Sequence, residues 1–153
     1  MDELVMLLKE QGLTIGSCES LTAGLFTSKI AEVPGASNVL KGGIVTYQTS
    51  CKTDVAHVDT KVIDAYGVIS SQCAQEMALK VQKILGVDVC VSFSGNAGPT
   101  VLEGKPAGLV YCALAIHQNV CCYECQFSGS RNEVRNAAVD FMCIKIKEQL
   151  KKK

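Results

Sequence analysis

The sequence carries no net charge, because fifteen lysines and arginines balance fifteen aspartates and glutamates. No global field therefore draws nucleic acid or an anionic membrane to it. Long apolar runs are also missing, since glycines, polar residues or charges interrupt each stretch well short of membrane-spanning length. The first residues, Met1-Asp2-Glu3-Leu4-Val5-Met6-Leu7-Leu8-Lys9-Glu10, are acidic where a signal peptide would be basic. These absences predict a cytoplasmic chain with neither a nucleic-acid nor a membrane partner. Repetitive and polar tracts are absent as well. With 48% apolar and 20% charged residues in 153, the chain reads as one globular domain, 1–153, with a core that needs no disulfide or metal. The basic run at the end, Lys145 to Lys153, complements a helix C-terminus and keeps it solvated.

What is plentiful is cysteine. Nine of them, at 18, 51, 73, 90, 112, 121, 122, 125 and 143, are scattered along apolar segments. An odd number without a secretory signal argues against a disulfide framework and for reduced thiols. The one C-x-x-C pair, Cys122 and Cys125, lies in a segment that reads as a strand, where positions three apart face opposite sides. His117 is nearby, but zinc would want a second ligand pair that the chain does not supply. The expectation is no metal and no cofactor.

Periodicity and punctuation order the rest. Leu4, Leu7 and Leu8 predict a helix over 2–11, stopped by Gly12. A short strand, 14–18, leads into Ser20, and a helix is predicted over 22–32, closed by Pro34-Gly35. A second strand follows over 39–47, its paired Gly42 and Gly43 marking a bulge or a close backbone approach. Residues 49–66 suggest two short helices or a helical loop. Ser70 or Ser71 caps a long helix to Leu85, ended by Gly86. Val87 to Ser94 is a continuous apolar run, as expected of a strand covered on both faces. Leu109–Ile116 and Val120–Phe127, joined by three residues, demand an antiparallel hairpin. Ser130-Arg131-Asn132-Glu133 has the form of a capping box opening a helix to about Leu150. The fold class predicted is α/β: a three-layer α/β/α sandwich on a mostly parallel, five-stranded mixed sheet.

In such sheets chemistry gathers beyond the carboxyl ends of the parallel strands. Three junctions meet there: Glu19 and Ser20; Tyr47 and Lys52; and Ser94, Gly95, Asn96, Gly98 and Pro99. A serine between strand and helix suits a nucleophile beside free backbone donors, and equally suits an ordinary N-cap. The two histidines do not help to choose. His57 lies in the helical stretch and His117 at the hairpin turn, so neither stands at a strand end that reaches Ser20. A nucleophilic serine would need another base, and lysine is the known substitute. Lys52 sits one turn past the second strand and can reach back, with Tyr47 to relay the proton or hold the amine. The Ser-x-x-Lys motif of penicillin-recognising enzymes is absent around Ser20.

Six blocks in order carry a resemblance over nearly the whole chain: Glu19-Ser20-Leu21-Thr22-Ala23-Gly24; Gly43 to Tyr47 with Lys52; Gly67-Val68-Ile69-Ser70; Ser94 to Pro99; Lys105-Pro106-Ala107-Gly108; and Phe127 to Arg131 with Arg135. The sequence resembles the C-terminal domain of the competence-damage-inducible protein family, whose members include nicotinamide-nucleotide amidases. The resemblance implies catalytic roles for Ser20, Tyr47 and Lys52. It also implies hydrolysis of the carboxamide of nicotinamide mononucleotide to nicotinate mononucleotide and ammonia, as in pyridine-nucleotide salvage. On that reading backbone donors near Thr22, Ala23 and Gly24 hold the oxyanion. The loop Gly95 to Gly98, with Arg131 or Arg135, meets the phosphate of a small-molecule nucleotide substrate. Glu19 and Thr46 complete the expected substrate rim.

Departures from the family pattern fall on that rim. Asn96 replaces an apolar residue, Thr100-Val101-Leu102-Glu103 replaces a glycine-rich stretch, and Thr49 replaces a common asparagine. Two alternatives stay open: a catalytically silent nucleotide- or phosphate-binding module, and an amidase for another small amide. The larger members of the family carry an N-terminal domain that this chain is expected to lack, as a standalone form. A homo-oligomer is compatible with the sequence, which does not fix the oligomeric state.

Overall fold

Five strands and six helices follow one another in a computed structural model that describes residues 1–152; Lys153, the last residue of the basic run, lies outside the described residues. Helix α1 is Asp2–Glu10, and it buries Leu4, Val5 and Leu8 on one face. Strand β1, Ile15–Glu19, is buried along its whole length, as its central place in the sheet requires. Helix α2, Leu25–Ala31, is followed by a single 3-10 turn, Ala36–Asn38, and by β2, Leu40–Val45. Two short helices, α3 (Thr49–Asp54) and α4 (Thr60–Tyr66), resolve the stretch that sequence left as helices or helical loop.

Helix α5, Ser71–Leu85, begins on Ser70, whose hydroxyl accepts from the Cys73 amide, and ends on Gly86 in the left-handed region at φ 60°. Strand β3, Val89–Gly95, leads through a long link to β4, Leu109–Ile116, and a two-residue turn joins β4 to β5, Asn119–Gln126. Helix α6, Arg131–Leu150, opens with the complete capping box of Ser130 and Glu133.

The strand order is β2-β1-β3-β4-β5. β1 pairs in parallel with β2 and β3, while β4 runs antiparallel to both β3 and β5. One strand of the five, β4, therefore points against the others. The sheet divides the core. On one face α1, α2 and α6 cover Ile15, Val91, Phe93 and Leu114; on the other, α5 and the α3–α4 segment cover Cys18 and Cys90. An alanine patch lets α5 approach β4 closely, with Ala74 and Ala78 against Ala113 and Ala115. Cys125 joins the first core and Cys122 lies against the alanine patch, on opposite faces of β5. Among the described residues no helix is long and apolar enough to cross a membrane.

The paired glycines of β2 serve both purposes that such a pair suggests. The register with β1 slips between Ile15 and Gly16, which face Leu40 and Gly42. At Gly43 an added Cβ would stand 2.3 Å from the Thr27 hydroxyl and 2.6 Å from that of Ser17, so α2 can pack against the strand only over a glycine.

Candidate active site

Parallel pairing brings the carboxyl ends of β1, β2 and β3 to one rim. There the Ser20 amide donates to the Phe93 carbonyl at 3.1 Å and the Thr46 amide to the Glu19 carbonyl at 2.9 Å. Ser20 is thereby fixed by backbone from β3, one residue beyond the end of its own strand.

The chain then turns before it becomes helical. The Ala23 amide donates to the Ser20 carbonyl at 3.1 Å and the Leu25 amide to that of Thr22 at 2.9 Å, with Ala23 and Gly24 both in the left-handed region. The helix expected from residue 22 begins at Leu25, and its N-cap position is Gly24. Ser20 is therefore not a helix cap.

Glu19 supplies the cap instead. Its carboxylate accepts from the amides of Phe26 (3.4 Å) and Thr27 (2.9 Å) and from the hydroxyls of Thr27 and Ser17 (both 3.2 Å). At 1% exposure it is turned under α2, away from a substrate rim. Its negative charge stands where the unpaired amides of a first helical turn need it.

Arg135, from the second turn of α6, clasps the outside of the same turn. It donates to the carbonyls of Leu21 and Thr22, each at 2.9 Å, and to the Asn132 side chain at 3.0 Å. Its guanidinium is thus committed to backbone.

Lys52 lies in α3 and is 2% exposed. Its Nζ sits 3.0 Å from the Ser20 hydroxyl and 2.8 Å from the Thr46 carbonyl. Among the described residues it makes no ion pair. Burial holds its amine below the ordinary lysine value of 10.5. Burial also pushes the thiols of Cys18 up to about 12 and Cys73 up to about 11, leaving both protonated at neutral pH. Ser20 and Lys52 are the pair that the fold brings into direct contact.

Tyr47 stands at the mouth, 53% exposed. Its hydroxyl accepts from Arg131 at 2.6 Å, and the same guanidinium donates to the Gly98 carbonyl at 2.8 Å. Tyr47 thus shares the cavity of Ser20 while its hydroxyl is held by Arg131, where sequence had it reaching the serine or the lysine. The cavity is about 150 Å³ and is lined by polar Ser20, Tyr47 and Arg131 together with apolar Leu21, Ala97 and Leu102.

In the loop expected to meet the phosphate, the Asn96 amide is engaged by the Leu109 carbonyl at 2.9 Å. Gly95 is required by β4, because a Cβ there would stand 2.3 Å from the Leu109 carbonyl oxygen. Asn96 spends its side chain on the loop itself. It accepts from the Leu102 amide at 3.0 Å and donates to the carbonyls of Leu102 (3.2 Å) and Lys105 (3.0 Å). Glu103 fastens the loop to the segment before α5, accepting from the amides of Val68 (2.9 Å) and Ile69 (3.0 Å). Lys105 donates to the Ile69 carbonyl and pairs with Glu103. Neither Glu103 nor Lys105 was assigned a role from sequence. The block Lys105-Pro106-Ala107-Gly108 marked the place without showing what it holds.

A family model described as the CinA C-terminal domain matches residues 1–150. The chain belongs to this family. Among relatives of the CinA-family chain, a competence-damage inducible protein of Shouchella clausii is 43% identical over 98% of this chain and 36% of its own length. One from Limosilactobacillus fermentum is 51% identical over 74% of this chain and 28% of its own. The CinA-family chain thus spans about a third of the length of the curated relatives it matches. Solved structures agree on the fold. A CinA superfamily protein from Klebsiella pneumoniae superposes with a TM-score of 0.97 at 25% identity, over 99% of this chain and 96% of that one. A competence/damage inducible protein from Agrobacterium tumefaciens gives 0.91 at 30% identity, over 97% and 92%.

Among the described residues no three His, Cys, Asp or Glu side chains are grouped so as to hold a metal ion. The rim presents the Ser20 hydroxyl, the buried Lys52 amine and oriented backbone.

Proposed function

We propose that this chain is a serine amidohydrolase that removes ammonia from the carboxamide of nicotinamide mononucleotide, leaving nicotinate mononucleotide. The observation that carries the reading is the buried amine of Lys52, without an ionic partner among the described residues and 3.0 Å from the Ser20 hydroxyl. Burial favours the neutral amine, and a neutral amine is a base. The Thr46 carbonyl accepts one N–H at 2.8 Å and leaves the nitrogen lone pair free to turn to Ser20. Lys52 takes the hydroxyl proton as Ser20 Oγ attacks the carboxamide carbon. The same proton passes to the departing nitrogen, ammonia leaves, and an acyl-serine remains. Water, deprotonated by Lys52, then releases the acid and restores both groups.

The tetrahedral intermediate needs donors for its oxyanion. Of the three amides first expected there, that of Ala23 is already bonded to the Ser20 carbonyl, which leaves those of Thr22 and Gly24. Arg135 holds the turn that carries them. Arg131, fixed between Tyr47 and Gly98, is a cation lining the cleft, and the anionic end of the nucleotide would lie beside it.

The test is ammonia release from nicotinamide mononucleotide by the wild-type chain, Ser20→Ala, Lys52→Ala and Lys52→Arg. All three variants should be inactive, since arginine does not surrender a proton near neutral pH. A folded Ser20→Ala protein that keeps most of the rate ends the proposal. Stabilisation of the wild type by the nucleotide without any turnover would make the chain a binding module.

A further inference from the structure

The segment Thr100-Val101-Leu102 ends in an apolar side chain that joins none of the buried clusters of the core. Leu102 is 59% exposed although it lines the cavity of Ser20. An isolated surface leucine needs no explanation. This one is different, because the loop beneath it is tied down at several points.

Asn96, itself 4% exposed, bonds both the amide and the carbonyl of Leu102. The next residue, Glu103, adopts the left-handed region at φ 59°, which a residue with a side chain rarely does. Its carboxylate is spent on the Val68 and Ile69 amides. Leu102 is thus presented at a fixed place by contacts on both sides of it. Leu21 and Ala97 line the same cavity, as do Ser20, Tyr47 and Arg131. The lining therefore offers apolar side chains beside polar ones, the nucleophile among them. A cavity of about 150 Å³ is the size that takes one six-membered aromatic ring.

We infer that Leu102 is a specificity-determining residue, the apolar wall against which the flat face of an aromatic carboxamide packs while its amide meets Ser20. The inference rests on the amidase reading for the identity of the ring, but the contact itself does not require turnover. The pinned leucine selects aromatic carboxamides over amides with no ring, and Tyr47 and Arg131 take whatever tail the ring carries.

The experiment uses the whole chain and its Leu102→Gly variant, a change at an exposed position that leaves the fold's core untouched. Binding of nicotinamide and, separately, of ribose 5-phosphate is measured by calorimetry, and kcat and KM are measured with nicotinamide mononucleotide. Leu102→Gly should weaken nicotinamide about tenfold, the scale of one part-buried leucine. It should leave ribose 5-phosphate unchanged and raise KM with kcat preserved. Equal weakening of both probes, or of neither, overturns the inference. If the wild type releases no ammonia but the variant still loses nicotinamide selectively, the amidase reading fails and the wall stands. If the wild type is active and the variant binds nicotinamide as well as it does, the wall alone fails.

Discussion

Glu19 offers the sharpest test of the site's construction, because its neighbours predict different effects for two substitutions. Three of its four hydrogen bonds fall on one oxygen, Oε1, which accepts from the Thr27 amide, the Thr27 hydroxyl and the Ser17 hydroxyl. Only the longer bond from the Phe26 amide, at 3.4 Å, falls on Oε2. Glu19→Gln can keep the first oxygen and loses the charge and the weakest bond, a change worth about 1 kcal/mol. Glu19→Ala removes all four acceptors and leaves the first amides of α2 buried without a partner. A lost cap costs about 1–2 kcal/mol, and orphaned buried donors bring the total to about 3–4 kcal/mol. At about 2–4 °C per kcal/mol for a domain of this size, the melting midpoint should fall by roughly 3 °C for glutamine and roughly 10 °C for alanine. Calorimetric melting, with KM for nicotinamide mononucleotide measured well below each midpoint, separates a helix cap from a substrate contact. An unchanged midpoint together with a strongly raised KM in Glu19→Gln would refute the capping argument and return the carboxylate to the substrate rim.

The remaining predictions follow from the same geometry. Lys52 binds fewer protons in the folded than in the unfolded chain, so its contribution to stability rises with pH up to the ordinary lysine value of 10.5 and is lost as pH falls through its depressed folded value. Lys52→Met should flatten that dependence in pH-resolved melting curves, and an unaltered curve would count against a buried neutral amine. Gly95→Ala forces a Cβ to within 2.3 Å of a backbone oxygen, so it should cost roughly 2–3 kcal/mol. A melting midpoint equal to wild type would contradict the β4 contact. Arg135→Ala frees the carbonyls of Leu21 and Thr22 and should lower kcat more than it raises KM; a pure KM effect would indicate direct substrate contact instead. Chelators should leave ammonia release unchanged, and stoichiometric zinc lost together with activity would require a different mechanism.

The elements were legible wherever one signal governed them. Ser70, Gly86 and the Ser130–Glu133 box mark helix ends by backbone chemistry that is local in sequence, and the structure places those ends there. The hairpin of β4 and β5 followed from link length alone. The start of α2 differs from expectation because Ser20 and Thr22 both have cap chemistry, whereas the actual cap is a glutamate from the preceding strand, seven and eight residues before the amides it accepts from. Nothing in local spacing distinguishes a glutamate that folds back from one that faces a ligand. The approach of Lys52 to Ser20 could be argued from strand ends, since both segments leave one rim. The partners of Tyr47 could not, because Arg131 arrives from the far end of the chain. The clip of Glu103 to residues 68 and 69 was equally hidden, depending on how a loop without periodicity folds across a helix start.

The reversed direction of β4 has a consequence for how such a protein can diverge. A parallel successor to β3 would need a crossover to the opposite end of the sheet, and its connection would be tied to the packing of a helix. Because β4 runs back, the link over residues 96–108 leaves the rim and returns to it, closing on itself where the Asn96 amide meets the Leu109 carbonyl and the Gly108 amide meets the Asn96 carbonyl. Its length and composition can change without shifting the register of a strand. Ser20 and Lys52 are carried by β1 and α3, on the other side of that closure. On the reading proposed above, reaction and recognition would sit in separately variable parts of the chain, and a substrate would be exchanged by rewriting a single loop.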